Sequence, residues 1–263
     1  AHLALATALE NGGQPRGRFL PELVRAYALR AGLTDRERYA VEGVYHLRVT
    51  GDIRKSIVAF QNNVEELRRT GEGGWYGTLG FLLQLTGQLH AAEAILQEAR
   101  VRFPSAVNQT YLVGLLYAMG KDAQADTVLG EVATRFPEHP FVLELRVRVL
   151  ANSGGYDAAH ALAAGLPSDI GLPLQAELDA VRGRFGEAIA HLHALRDQAL
   201  AHGMLATAVE IAIAAGRLRL RSGDSTGASE IDQLLRRHRF DSIDTLSRPY
   251  LPLALFYAEV GPS

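Results

Sequence analysis

With 263 residues and 48% hydrophobic content the chain can bury a sizeable core, and a formal net charge of −2 gives it no global attraction to nucleic acid or to anionic membrane surfaces. Cysteine is absent, which excludes disulfides, thiolate metal sites and cysteine nucleophiles. No stretch approaches the roughly 18 apolar residues of a membrane-spanning helix, so direct membrane insertion is not expected.

In chain order, Leu5-Ala6, Leu9 and Gly13, followed by a helix over Leu20–Ala31, read as an irregular leading hairpin within residues 1–35. Thr34 or Asp35 can cap the next helix, with Glu37 in its first turn. Gly51 then closes a turn before a helix over Ile53–Arg69, and Gly71–Gly74 links to the next hairpin. There Tyr76, Leu79, Gly80 and Leu83 fall at helical spacing before Gly87. Leu96 and Ala99 carry the buried stripe on to a stop at Phe103-Pro104. The pattern repeats with Leu112, Val113 and Leu116 before Gly120, then Leu129 and Val132, then a stop at Phe136-Pro137. Hairpins from Pro140, Ile170 and Met204 onward are more degenerate. Tyr250, Leu253-Ala254, Tyr257 and Gly261 read as the first helix of a further hairpin.

One feature recurs throughout: a glycine followed five residues later by Ala or Ser. The pairs are Gly51/Ser56, Gly87/Ala92, Gly120/Ala125, Gly154/Ala159, Gly183/Ala188 and Gly223/Ala228, and the small residues are separated by 36, 33, 34, 29 and 40 positions. The glycine ends a first helix, where a left-handed backbone costs it little. The small residue sits where two helices cross and a larger side chain would force them apart. No alternation of apolar and polar residues signals a strand.

These residues carry a resemblance. The hairpin Tyr76, Leu79-Gly80, Leu83, Gly87, Ala92, Leu96, Ala99, Pro104 resembles the tetratricopeptide repeat (TPR) family, whose period is about 34 residues with two helices per repeat. The resemblance implies an all-α superhelix, or solenoid, of about six to seven hairpins forming one domain over 1–263. Regular repeats occupy 36–164, and degenerate repeats with a truncated last one occupy 165–263. Gly165–Pro173, which shortens a repeat, is the expected weak joint.

A narrower resemblance lies in Leu33-Thr-Asp-Arg-Glu-Arg-Tyr-Ala-Val-Glu-Gly-Val-Tyr-His46 and Val49-Thr-Gly-Asp52. This segment is similar to the TPR-containing tails of bacterial eukaryotic-like serine/threonine kinases and related signalling proteins. That implies the regulatory or sensing part of a larger polypeptide. No Val-Ala-Ile-Lys, His-Arg-Asp or Asp-Phe-Gly is present to carry kinase chemistry.

Other apparent motifs read as structure. Gly223-Asp-Ser225-Thr-Gly227 fits the pattern of a hydrolase nucleophile elbow, but that elbow needs a preceding strand, and Ile211–Leu220 reads as helix. Gly71–Gly74 follows a helix and lacks the Lys-Ser/Thr ending of a phosphate loop. His191 and His193, two residues apart, point to different helix faces. Asn108-Gln-Thr110 is a formal glycosylation sequon read as coincidence. No catalytic residue, cofactor or metal ligand is assigned, and the chain is read as a non-catalytic module.

The TPR resemblance also implies where a partner docks. Positions 13, 10, 6, 3 and 2 before each turn glycine line the concave groove. The residues taken from that rule as partner-binding are Arg38, Tyr45, Arg48, Phe81, Gln84, Tyr117, Glu144, Arg148, Asn152 and Arg217, with Val41, Gly77 and Leu85 at companion positions. Aromatics mixed with arginine favour a protein or peptide segment of acidic character. The alternative is a sensor for a small ligand or peptide.

Overall fold

A computed structural model describes residues 1–12, 14–71, 74–243 and 245–261. Gly13, Glu72 and Gly73, which the sequence places in turns, lie outside the described residues. All regular elements among the described residues are helices. They group into two compact units, Ala1–Leu145 and Arg146–Ser263, and the division falls inside a helix, not at Gly165–Pro173.

The first unit begins with α1 (His2–Asn11) and α2 (Arg16–Ala28), so the leading hairpin starts earlier than its apolar spacing suggests. After a 3-10 turn come α3 (Asp35–Tyr45), extended by a π turn over His46–Thr50, and α4 (Ile53–Thr70). Next are α5 (Tyr76–Leu85), α6 (Leu89–Arg102), α7 (Ala106–Ala118) and α8 (Asp122–Arg135), and α9 (Pro140–Asn152) begins. Thr34 and Glu37 form a reciprocal capping box at the start of α3, satisfying two backbone donors that have no partner inside the helix. Helices α6 and α8 end at the residues before Phe103-Pro104 and Phe136-Pro137, as the proline stops require.

Close approach of paired helices explains the small residues. Ser56, Ala92 and Ala125 are wholly buried. The Ser56 hydroxyl donates to the Gly43 carbonyl at 2.9 Å, so this buried polar group is satisfied. A Cβ on Gly43 would lie 2.6 Å from the Phe60 ring, so α4 reaches α3 only because that position is bare. Phe60 stacks on Trp75 with ring centres 5.2 Å apart, and the core continues through Leu79, Leu83, Leu96, Leu112 and Leu116, all at most 1% exposed. Each such side chain contributes about 1.5–3 kcal/mol of burial. Second helices are laced by ion pairs one repeat apart, Arg68 to Glu98 and Arg100 to Glu131.

In the second unit, the end of α9 is followed by α10 (Tyr156–Ala164), α11 (Ser168–Val181) and α12 (Phe185–Ala201). Then come α13 (Leu205–Arg221), α14 (Gly227–His238), two 3-10 turns and α15 (Tyr250–Val260). Helix α11 runs through Pro173. Ala159 and Ala188 are fully buried at their crossings. The last pair departs from the expected register. Gly227, not Ala228, makes the closest approach, since a Cβ there would lie 2.7 Å from the Gly216 Cα. Two helix backbones meet at two glycines, and a Cβ on Gly216 would lie 2.9 Å from the Phe256 ring of α15.

The turn glycines Gly51, Gly87, Gly120, Gly154, Gly183, Gly223 and Gly261 all take a left-handed φ, between 69° and 85°. That is the backbone state an L side chain resists, and it is why one residue type recurs at these turns.

Candidate functional site

The first helices of the first unit, α3, α5, α7 and the start of α9, carry most of the residues expected to meet a partner. Phe81 of α5 is 38% exposed and stacks on Tyr111 of α7, with ring centres 5.5 Å apart and planes at 29°. Leu85, one turn along α5, is also exposed, as is Phe141 at the start of α9. Gly114 of α7 has no neighbour within 4 Å of where a Cβ would stand, so the surface beside Tyr111 is open. Tyr111 was not singled out in the sequence. It lies nine residues before its turn glycine, outside the groove offsets, and only packing brings it to Phe81.

The other predicted positions divide by what they touch. Tyr45 stacks face to face on Tyr27 of α2, with ring centres 3.8 Å apart, and His46 meets both rings edge-on. Tyr117 donates its hydroxyl to Asp126 of α8, within its own hairpin. Burial, and then the Asp126 carboxylate, push the Tyr117 phenol up to about 12. Val41 and Gly77 are buried; a Cβ on Gly77 would strike the Asn108 side chain at 2.6 Å. The position ten before the turn thus packs at these two places and does not face solvent. Asn108 itself is buried and donates to the Phe103 carbonyl, an inaccessible place for a glycan. Gln84 and Glu144 are half-buried on α5 and α9.

Four arginines of the expected groove are paired within the chain. Arg38 lies 2.8 Å from Asp35, and Arg48, in the π turn, lies 2.9 Å from Glu10 of α1. In the second unit Arg148 pairs with Glu177 of α11, and Arg217 makes a forked contact with Glu259 of α15 at 2.9–3.1 Å. Asn152, the last residue of α9, is exposed. An acidic ligand therefore has to compete with these carboxylates.

The turn that matched a nucleophile elbow holds no such geometry. Asp224 accepts the Thr226 N–H at 2.8 Å and pairs with Arg219 at 2.7 Å. The Thr226 contacts, with Arg219 adding to them, hold the Asp224 carboxyl down to about 2. Ser225 follows helix α13, not a strand. His191 and His193 do face different neighbours. His193 lies 3.5 Å from Glu230, whereas His191 approaches Asp179 of α11, as does His160 of α10. These three residues are the grouping among the described residues able to hold a metal ion. No sequence signal joins them, because each comes from a different helix.

No protein-family model matches the chain, and no curated protein matches it. Solved structures do resemble it. Yeast Tom70 is similar with a TM-score of 0.53 and 16% identity over 92% of this chain, which spans only 59% of the Tom70 chain. A tetratricopeptide repeat protein from Parabacteroides merdae is similar at 13% identity and a TM-score of 0.44, over 86% of this chain and 98% of that one. The TPR2AB domain of yeast Sti1, in its complex with pHSP90, is similar at 19% identity and a TM-score of 0.32, over 90% and 96% of the two chains. At such identities the likeness is one of fold, and the Tom70 match agrees with the all-α, TPR-like architecture read from the repeat.

Proposed function

We propose that the chain is a non-catalytic protein-interaction module that holds a peptide segment of a partner protein on the first helices of Ala1–Leu145. The observation that carries this reading is the exposed Phe81 ring stacked on the half-buried Tyr111, with the exposed Leu85 beside it. Large rings on rigid helices give contact area at little entropic cost, which is what binding hot spots require. The expected ligand presents an apolar anchor to these rings. Acidic residues flanking the anchor exchange with Asp35 and Glu10 for Arg38 and Arg48. The likeness of residues 33–52 to kinase tails supports placing the module in the regulatory part of a larger bacterial signalling protein.

Peptide display selection on the full chain tests the reading. Selected peptides are expected to share an aromatic or aliphatic anchor and to lose more than about tenfold in affinity with Phe81→Ala or Tyr111→Ala, as hot-spot truncation does. Peptides that bind both variants like the native chain, or a selection that yields none, would move function away from this face.

A second reading, a small-ligand sensor, has its own observation. A cavity of about 530 Å³ in the first unit is lined by Leu29, Leu33, Asn63, Leu67 and Trp75, among others, and the buried Oδ1 of Asn63 has no hydrogen-bond partner. Quenching of the single tryptophan, Trp75, during a metabolite screen would favour that reading.

A further inference from the structure

In the second unit a buried carboxylate is ion-paired on one oxygen and has no aligned donor on the other. Asp179 is 1% exposed, and neither of its oxygens accepts a hydrogen bond. A carboxylate removed from water is costly unless it is paired; the Arg184 guanidinium supplies an ionic partner on the Oδ1 side, while Oδ2 has no aligned donor. Three cationic or metal-ligating side chains surround it. Arg184 Nη2 lies 2.5 Å from Oδ1, His191 Nε2 lies 3.3 Å from Oδ2 and His160 Nε2 lies 3.5 Å from Oδ2.

The imidazole nitrogens are close to Oδ2, yet neither is aligned to donate to it. An ordinary histidine–aspartate pair aims its N–H at the oxygen. Here one ring nitrogen of each histidine and one Asp179 oxygen lie within 4.8 Å of one another. Metal–ligand distances of about 2.0–2.2 Å in a tetrahedral zinc site place neighbouring ligand atoms about 3.3–3.6 Å apart. Both imidazole-to-carboxylate separations fall in that range. The two imidazole rings, whose side chains are 30% and 25% exposed, have their centres 6.1 Å apart. Arg184, on the other oxygen, leaves Oδ2 available and orients the carboxylate, as outer-shell partners do.

We propose that His160, Asp179 and His191 bind a divalent transition-metal ion of the zinc class, through two Nε2 atoms and Oδ2, with water at the fourth position. Two imidazoles and a single carboxylate oxygen suit that class and not calcium or magnesium, which take oxygen-rich shells. The Arg184 charge works against a dication and keeps the affinity below that of a shell with no cation beside it. The bound ion ties α10, α11 and α12 together. It leaves one coordination position open toward solvent.

The test uses the full chain, stripped with a chelator and dialysed. Zinc is titrated by calorimetry and cobalt(II) by visible absorption. The expected result is one ion per chain, a cobalt spectrum of the four-coordinate type and a rise in Tm with zinc concentration. His160→Ala and His191→Ala, both at partly exposed positions, are each expected to weaken binding beyond the roughly 10- to 100-fold that loss of an outer-shell partner costs. His193→Ala, on another face of the same helix, is expected to bind like the native chain. Absence of binding, the result if a protonated imidazole satisfies Asp179 instead, overturns the proposal. Binding indifferent to His160 and His191 overturns it as well.

Discussion

Replacing Gly227 with alanine tests whether backbone contact sets the last helix crossing. The added Cβ would stand 2.7 Å from the Gly216 Cα, with the Gly216 carbonyl oxygen and carbon at 3.3 and 3.4 Å. All three are backbone atoms of a helix, so no side-chain rotation relieves the overlap. To restore ordinary contact, α13 and α14 must part by roughly 0.7–1 Å, in an interior that tolerates little change of volume. Parting them loosens Phe256 and Ile231, which are at most 1% exposed against this crossing. Overpacking of this kind costs about 1–3 kcal/mol. The better helix propensity of alanine offsets at most about 1 kcal/mol of that. Gly130→Ala is the control, because this mid-helix glycine of α8 has nothing within 4 Å. It should gain about 0.5–1 kcal/mol. Urea denaturation followed by far-ultraviolet circular dichroism reads both variants. If Gly227→Ala proves as stable as the native chain while Gly130→Ala gains, the crossing is not held by glycine contact and the reasoning is wrong.

Three further expectations follow the same logic. Phe60→Ala empties a fully buried ring site beside Gly43 and Trp75, and should cost about 3–5 kcal/mol; the Trp75 emission of the folded state should shift with it, and an unchanged urea midpoint would contradict the packing. Asp224 titrates below its ordinary value in the folded chain, so its contribution to stability is present above the usual carboxylate range and is lost as pH falls toward about 2. Asp224→Asn should therefore flatten the fall in urea midpoint between mildly and strongly acidic pH, and parallel curves would contradict the assignment. For Arg217 and Glu259, both well exposed, a double-mutant cycle should return a coupling below about 1 kcal/mol that shrinks with salt; a large, salt-independent coupling would contradict a solvent-screened pair.

The repeat was legible because its requirements are local. A left-handed turn accepts glycine, a helix crossing accepts a small residue, and proline ends a helix, so each condition leaves a mark at a fixed offset. The turn glycines Gly51, Gly87, Gly120, Gly154, Gly183 and Gly223, and the crossing residues Ser56, Ala92, Ala125, Ala159 and Ala188, are found in the roles that spacing assigned them. At the last crossing the spacing pointed one residue too far, since Ala and Gly are adjacent there and both are small. The capping box at Thr34 and the stops at Phe103 and Phe136 follow from the same short-range chemistry.

What tertiary structure alone decided concerns partners distant in sequence. Arg48 meets Glu10, Arg217 meets Glu259 and Tyr111 meets Phe81 because helix packing brings their side chains within reach. The same holds for His160, Asp179 and His191, which come from α10, α11 and α12. Periodicity within a helix says which face a residue occupies. It does not say which side chain on the next helix stands opposite, since that depends on how two helices cross and on the rotamers chosen there.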